Sequence, residues 1–133
     1  MTRSISKIIA ITGVAALGLT GVAEAKKHHL DMTGHGSQNG VDLKSTYKGK
    51  PFGTCKMTGK LVIPNTQQTW RCGKLGTFKL VGKGATPVTN DTHGTWNIVK
   101  GSGTGKLKGI TGKGTFTGKL STGVFRYIGS VNY

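Results

Sequence analysis

Glycine constrains this chain more than any other residue. It takes 23 of 133 positions and is spread along the whole length. Each glycine inside a helix costs about 1 kcal/mol relative to alanine, so the chain cannot rest on long helices. The glycines follow no three-residue period, and apolar residues still make up 35% of the chain, which excludes a collagen-like fibre and a simple disordered tail. Many short strands joined by tight turns would use glycine in this way. A chain of this length makes one domain.

The N-terminus reads as a cleavable secretory signal peptide over residues 1–25. Arg3 and Lys7 supply a positive start, residues 8–19 are apolar or small, and Ala23-Glu24-Ala25 forms an A-x-A cleavage site. The apolar run falls short of the about 20 residues that a membrane-spanning helix needs. Cleavage after Ala25 would remove Arg3, Lys7 and Glu24, leaving 17 basic against 3 acidic residues, a net charge of about +14 with no glutamate. A secreted or periplasmic location follows. Cys55 and Cys72 are the two cysteines, and an oxidising compartment would pair them in a disulfide. Closing that loop is worth roughly 3 kcal/mol in the chain-entropy model.

Residues 26–40 read as a flexible polar lead-in, with a first short strand near 30–33. From residue 41 onward, short apolar or Thr-rich runs alternate with Gly, Asn and Pro punctuation. Strands are expected at residues 41–47, 53–58, 60–63, 68–72, 76–81, 94–99, 105–107, 114–120 and 123–133. Alternation within them puts Trp96 with Ile98 on one face, Phe116 with Leu120, and Phe125 with Tyr127, Val131 and Tyr133. Lysines recur on the opposite face. One dry and one wet face point to an antiparallel sheet, and closing it removes its edges. The fold expected over residues 41–133 is therefore all-β, a single antiparallel barrel, with eight strands the expected number. Gly-Thr-aromatic recurs at residues 76–78, 94–96 and 114–116, and Thr-Gly-Lys-Leu at 58–61, 104–107 and 117–120. Such spacing suits one hairpin per repeat, with small residues where a barrel wall bends.

The segment from Gly94 to Gly118, GTWNIVKGSGTGKLKGITGKGTFTG, resembles the late hairpin of the allene oxide cyclase barrel-like group, small barrels related to dirigent proteins and more loosely to calycins. Pro51-Phe52-Gly53-Thr54 and Thr58-Gly-Lys-Leu-Val-Ile63 are similar to its earlier strands. The resemblance implies an eight-stranded barrel whose lumen admits a small hydrophobic molecule. Allene oxide cyclases work through a buried glutamate. The mature chain has only Asp31, Asp42 and Asp91 as side-chain carboxylates, so a cyclase or isomerase activity is not carried over with the resemblance.

Other chemistry is sparse. Gly101-Ser-Gly-Thr-Gly-Lys-Leu107 completes neither phosphate-loop pattern, and no helix follows it. Asn90-Asp91-Thr92 matches a glycosylation sequon. With Lys26 as the new terminus, His28 in third position can bind Cu(II) through the amine, two backbone nitrogens and its imidazole, with His29 and His35 as further donors. A solvated basic tail is the plainer account of the same residues. No nucleophile, base and acid fall together, so no catalytic residues are assigned and no cofactor is called for. Phe78, Trp96, Phe116, Phe125 and Tyr127 are the candidate ligand-binding residues of the lumen, and the same five would also serve to fill a solid core. The charge suits an anionic lipid or polysaccharide as an alternative partner. Lysines spread along the chain, with only Arg71 and Arg126 as mature arginines, do not suit specific nucleic-acid recognition. Two functions lead, a non-enzymatic barrel binding a small apolar ligand and a cationic protein held at an anionic surface; a cyclase- or isomerase-type enzyme of the resembling family stands third.

Overall fold

The computed structural model describes residues 24–133. The expected leader thus lies almost wholly outside the described residues. Eight antiparallel strands follow one another in sequence order and close on themselves. They are β1 (Lys27–Asn39), β2 (Asp42–Lys50), β3 (Gly53–Val62), β4 (Asn65–Arg71), β5 (Thr77–Gly84), β6 (Asp91–Ile98), β7 (Thr111–Lys119) and β8 (Val124–Asn132). Each pairs with its neighbour, and β8 returns to β1 with Lys27 opposite Asn132 and His35 opposite Val124. No edge is left open for pairing with another chain.

The alternation read from the sequence sets the inside and the outside of the wall. Trp96 and Ile98, Phe116, and Tyr127 and Val131 all point inward and are buried. Outward positions carry exposed lysines and threonines, the reverse of the apolar outer band of a membrane-spanning barrel. Leu120 lies beyond the end of β7, at the mouth, and is 47% exposed.

Three local expectations change. Residues 26–40 are not a flexible lead-in: they hold β1, the longest strand. Its even-numbered residues Leu30 and Met32 are fully buried, and it supplies the seam between β2 and β8. The short strand expected near 30–33 is its centre, and pairing with the neighbours on both sides carries it through the polar residues to Lys27 and Asn39. Residues 53–58 and 60–63 form one continuous strand, since Gly59 stays within the ladder opposite Gln68. Residues 105–107 form a short 3-10 turn, not a strand, which buries Leu107.

Inward glycines provide the room for the aromatic rings. Gly114 and Gly129 face each other across β7 and β8, and a methyl on Gly129 would sit 2.8 Å from the Trp96 ring. The indole N–H of Trp96 donates to the carbonyls of Thr115 and Ile128, at 3.0 and 3.2 Å. Phe116 lies over Gly94 and Phe125 over Gly118 in the same way, each ring within 3 Å of where a Cβ would stand. Large residues beside absent side chains let the wall curve and the interior fill.

The two ends of the barrel differ. At one end the 3-10 turns Gly73–Leu75 and Gly105–Leu107 pack together. Beneath them, Phe52, Phe78, Leu107 and Ile110 join the core. The disulfide between Cys55 and Cys72 ties β3 to the end of β4 there. The opposite end is where the four short connections β1–β2, β3–β4, β5–β6 and β7–β8 meet.

Candidate functional site

That opposite end is open. A cavity of about 310 Å³ enters the barrel between these connections, at the lower end of the range for small-molecule pockets. Gly36 and Gly84 line it without a ring seated on them, whereas Leu43, Leu61, Phe116 and Phe125 supply its apolar walls. At these two glycines the nearest neighbours of an added Cβ are Lys44, Ser45 and Pro64, with no aromatic ring among them. Around the rim, every connection carries an exposed aliphatic residue: Val41, Val62 and Ile63, Val88, and Leu120 with Val124. Ile63 is 72% exposed. Outside this rim, Val99 is the one large aliphatic residue with comparable exposure among the described residues.

The floor is polar. Gln68, buried at 4% exposure, points inward from β4 between Thr66 and Trp70. The Trp70 indole N–H donates to its Oε1 at 2.8 Å. Gln68 Nε2 donates to Thr66 Oγ1 at 2.7 Å and to the Tyr127 hydroxyl at 2.9 Å. An indole N–H can only donate, so Trp70 fixes which way the Gln68 amide faces. Tyr47 stacks on Trp70 with ring centroids 4.5 Å apart and meets Tyr127 edge-on at 5.2 Å. Tyr47, Ser45 and Tyr127 all line the cavity. No Asp, Glu, His, Lys or Arg lines this cavity.

The five candidate ligand residues divide between plug and cavity. Phe116, Phe125 and Tyr127 line the cavity. Phe78 packs between Phe52 and Trp70 in the closed end, and Trp96 is sealed over its glycine seat; neither reaches the cavity. Sequence reasoning missed Gln68, Ser45, Thr66, Leu43 and the aliphatic rim. Gln68 had a readable signal, since Thr66, Gln68 and Trp70 share one face of a strand. The rim residues lie in the connections or, for Val62 and Val124, at the last or first position of a strand, where periodicity is silent.

The proposed copper ligand His28 sits inside the ladder. Its ring stacks on Tyr133 with centroids 4.4 Å apart, and its backbone pairs with Val131. Lys26 N donates to Tyr133 O at 2.9 Å, and Tyr133 N returns a bond at 3.1 Å. A square-planar site would need the nitrogens of Lys26, Lys27 and His28, and with Lys26 N bonded to Tyr133 O and His28 paired with Val131 it would have to open the β1–β8 seam. The described residues contain no group of three or more His, Cys, Asp or Glu arranged to hold a metal.

The cations face outward, but they are not dispersed. Lys74, Lys100, Lys106 and Lys108 stand on the closed-end loops, with Lys50 and Arg71 on the strand ends beside them. In the β3–β4 ladder Lys56 lies directly opposite Arg71, a repulsive placement; Arg71 turns aside to Thr58 Oγ1 at 2.9 Å. Asp42 and Asp91 lie at the mouth, paired with Lys60 and Lys119. Asp31 pairs with Arg126 at 2.7 Å, whose hydrogen bonds hold the carboxyl below its ordinary value.

Burial raises the phenols of Tyr47 and Tyr127 above the ordinary 10.0, that of Tyr47 well above it. A raised folded-state value keeps these groups neutral where the unfolded chain ionises. Their contribution to stability is complete below about pH 10 and falls as the pH climbs through the raised folded values. Urea unfolding at pH 8 to 11.5 should show a constant midpoint up to about pH 10 and a steep loss above it. The Tyr47→Phe/Tyr127→Phe variant should show a shallower loss.

No curated protein and no solved structure matches the chain. A family model does, across residues 20–125, which takes in seven of the eight strands and the start of the last. The chain belongs to the family described as "Protein of unknown function (DUF3224)".

Proposed function

We propose that this protein is an exported, non-catalytic binding barrel that takes a small, largely apolar molecule into the cavity at its open end. The observation that carries this reading is the contrast between the two ends. One is plugged with aromatic rings, while the other is hollow, apolar-walled and ringed by exposed aliphatic residues. Exposed apolar residues around an opening mark a site of contact with apolar matter. The closed eight-stranded barrel is the architecture implied by the resemblance to the allene oxide cyclase barrel-like group. The glutamate chemistry of those cyclases has no counterpart here, because no carboxylate lines the cavity. Export is supported by the leader-like N-terminus and by the Cys55–Cys72 disulfide.

Leu43 is half-buried at the mouth, so Leu43→Trp should block the cavity and spare the core. Native mass spectrometry of protein from its source, and after exposure to terpenoids and medium-chain esters, should show a single bound molecule per chain. The blocked variant should lose at least tenfold in affinity. Absence of any bound molecule, or equal binding by the blocked variant, would contradict the reading.

A second reading is favoured by the basic closed end: the protein is held on an anionic surface by that pole, with the mouth directed away. The placement of Lys56 opposite Arg71, at a cost to the sheet, fits such a role. Binding to vesicles containing phosphatidylglycerol should fall steeply between about 50 and 200 mM salt, by analogy with counterion release on nucleic acids. Lys74→Gln/Lys106→Gln should weaken it more than Lys44→Gln/Lys83→Gln at the mouth. Equal effects of the two sets would remove the closed end from the account.

A further inference from the structure

The polar floor of the cavity has a countable hydrogen-bond inventory. Gln68 is spent as a donor, since one amide proton goes to Thr66 and the other to Tyr127. Its orientation is not free, because Trp70 holds the carbonyl oxygen. The Tyr127 oxygen therefore accepts, and its own proton must go elsewhere. The side chains of Ser45, Tyr47 and Tyr127 all line the cavity, and each hydroxyl carries one proton. Bonded to one another in an open chain, three hydroxyls would use two of their three protons. At least one is left over, and the cavity is the space that these three groups share.

A donor without a partner in a dry site costs more than a lone pair without one. The complementary ligand group is an oxygen acceptor. It is also uncharged, since no cation lines the cavity to offset the burial of an anion. Resting on the binding reading above, we propose that the floor of the cavity, formed by Gln68, Tyr127, Tyr47 and Ser45, recognises a ketone or ester carbonyl on an otherwise apolar ligand. The aromatic and aliphatic walls then take the ligand body, and Trp70 acts through Gln68 as a positioning residue.

Three probes of similar shape test this with the full mature chain: ethylbenzene, acetophenone and benzoate. Ethylbenzene and acetophenone should both bind, and benzoate should not. The carbonyl stretch of isotopically labelled acetophenone should move to lower wavenumber in the wild-type complex than in cyclohexane, as a hydrogen-bonded carbonyl does. In Tyr47→Phe/Tyr127→Phe, acetophenone should weaken about tenfold, near the upper end for one neutral hydrogen bond, and ethylbenzene by less than about twofold. An unshifted carbonyl stretch, equal losses for both probes, or benzoate binding more tightly than acetophenone would overturn the proposal while leaving an apolar cavity in place. Failure of all three to bind would instead remove the binding reading itself. The wild-type spectrum decides the matter even if the double variant does not fold.

Discussion

The seating of aromatic rings on inward glycines is the contact on which the rest of this barrel depends. A closed eight-stranded wall leaves an interior that side chains can only just fill. Here Trp96 rests on Gly114 and Gly129, Phe116 on Gly94, and Phe125 on Gly118. A methyl at these positions would strike a ring, a backbone carbonyl or both. Glycine is ordinarily a weakness within a strand. In this wall it is the complement of the aromatic residues, and ring and glycine together define one packing unit.

The same device explains the hollow. Toward the closed end, rings and the two 3-10 turns occupy the space that the inward glycines open. Toward the mouth, Gly36 and Gly84 face no ring, and the cavity begins there. What polar chemistry the cavity has comes from one strand face, Thr66, Gln68 and Trp70, and from the tyrosines that pack against it. Charge is arranged along the same axis. Cations crowd the plugged end, while at the mouth Asp42 and Asp91 hold lysines in ion pairs among aliphatic tips. A polyanion and an apolar ligand would therefore meet opposite ends of the molecule.

The barrel, its disulfide and its inward face were legible because each rests on a local signal. Alternation placed Trp96, Phe116 and Tyr127 inside, and two cysteines in a chain read as exported implied one bridge. Only the centre of β1, around Leu30 and Met32, was legible as a strand, and pairing on both sides carries it through the polar residues around them. The site was legible in part. Phe116, Phe125 and Tyr127 were found by face, but the same rule also returned Phe78 and Trp96. Depth along the barrel axis separates these groups, and it depends on strand register, which no single strand encodes. The clustering of cations at one pole escaped for the same reason: lysines evenly spaced in sequence come together at the turns.

The glycine seats are tested most directly by comparing two single substitutions, Gly129→Ala and Gly36→Ala, for stability and for near-ultraviolet circular dichroism. At Gly129 the new methyl meets the Trp96 ring and the Lys113 carbonyl; at Gly36 it meets the Ser45 hydroxyl, which can rotate, and stands 3.1 Å from the Lys44 carbonyl. Gly129→Ala should cost about 1–3 kcal/mol, as overpacking does, and should alter the tryptophan bands. Gly36→Ala should cost less, about 0.5–1 kcal/mol, because one hydroxyl rotation and a small backbone adjustment relieve it. Equal costs at the two positions, or an unchanged tryptophan signal in Gly129→Ala, would contradict the account.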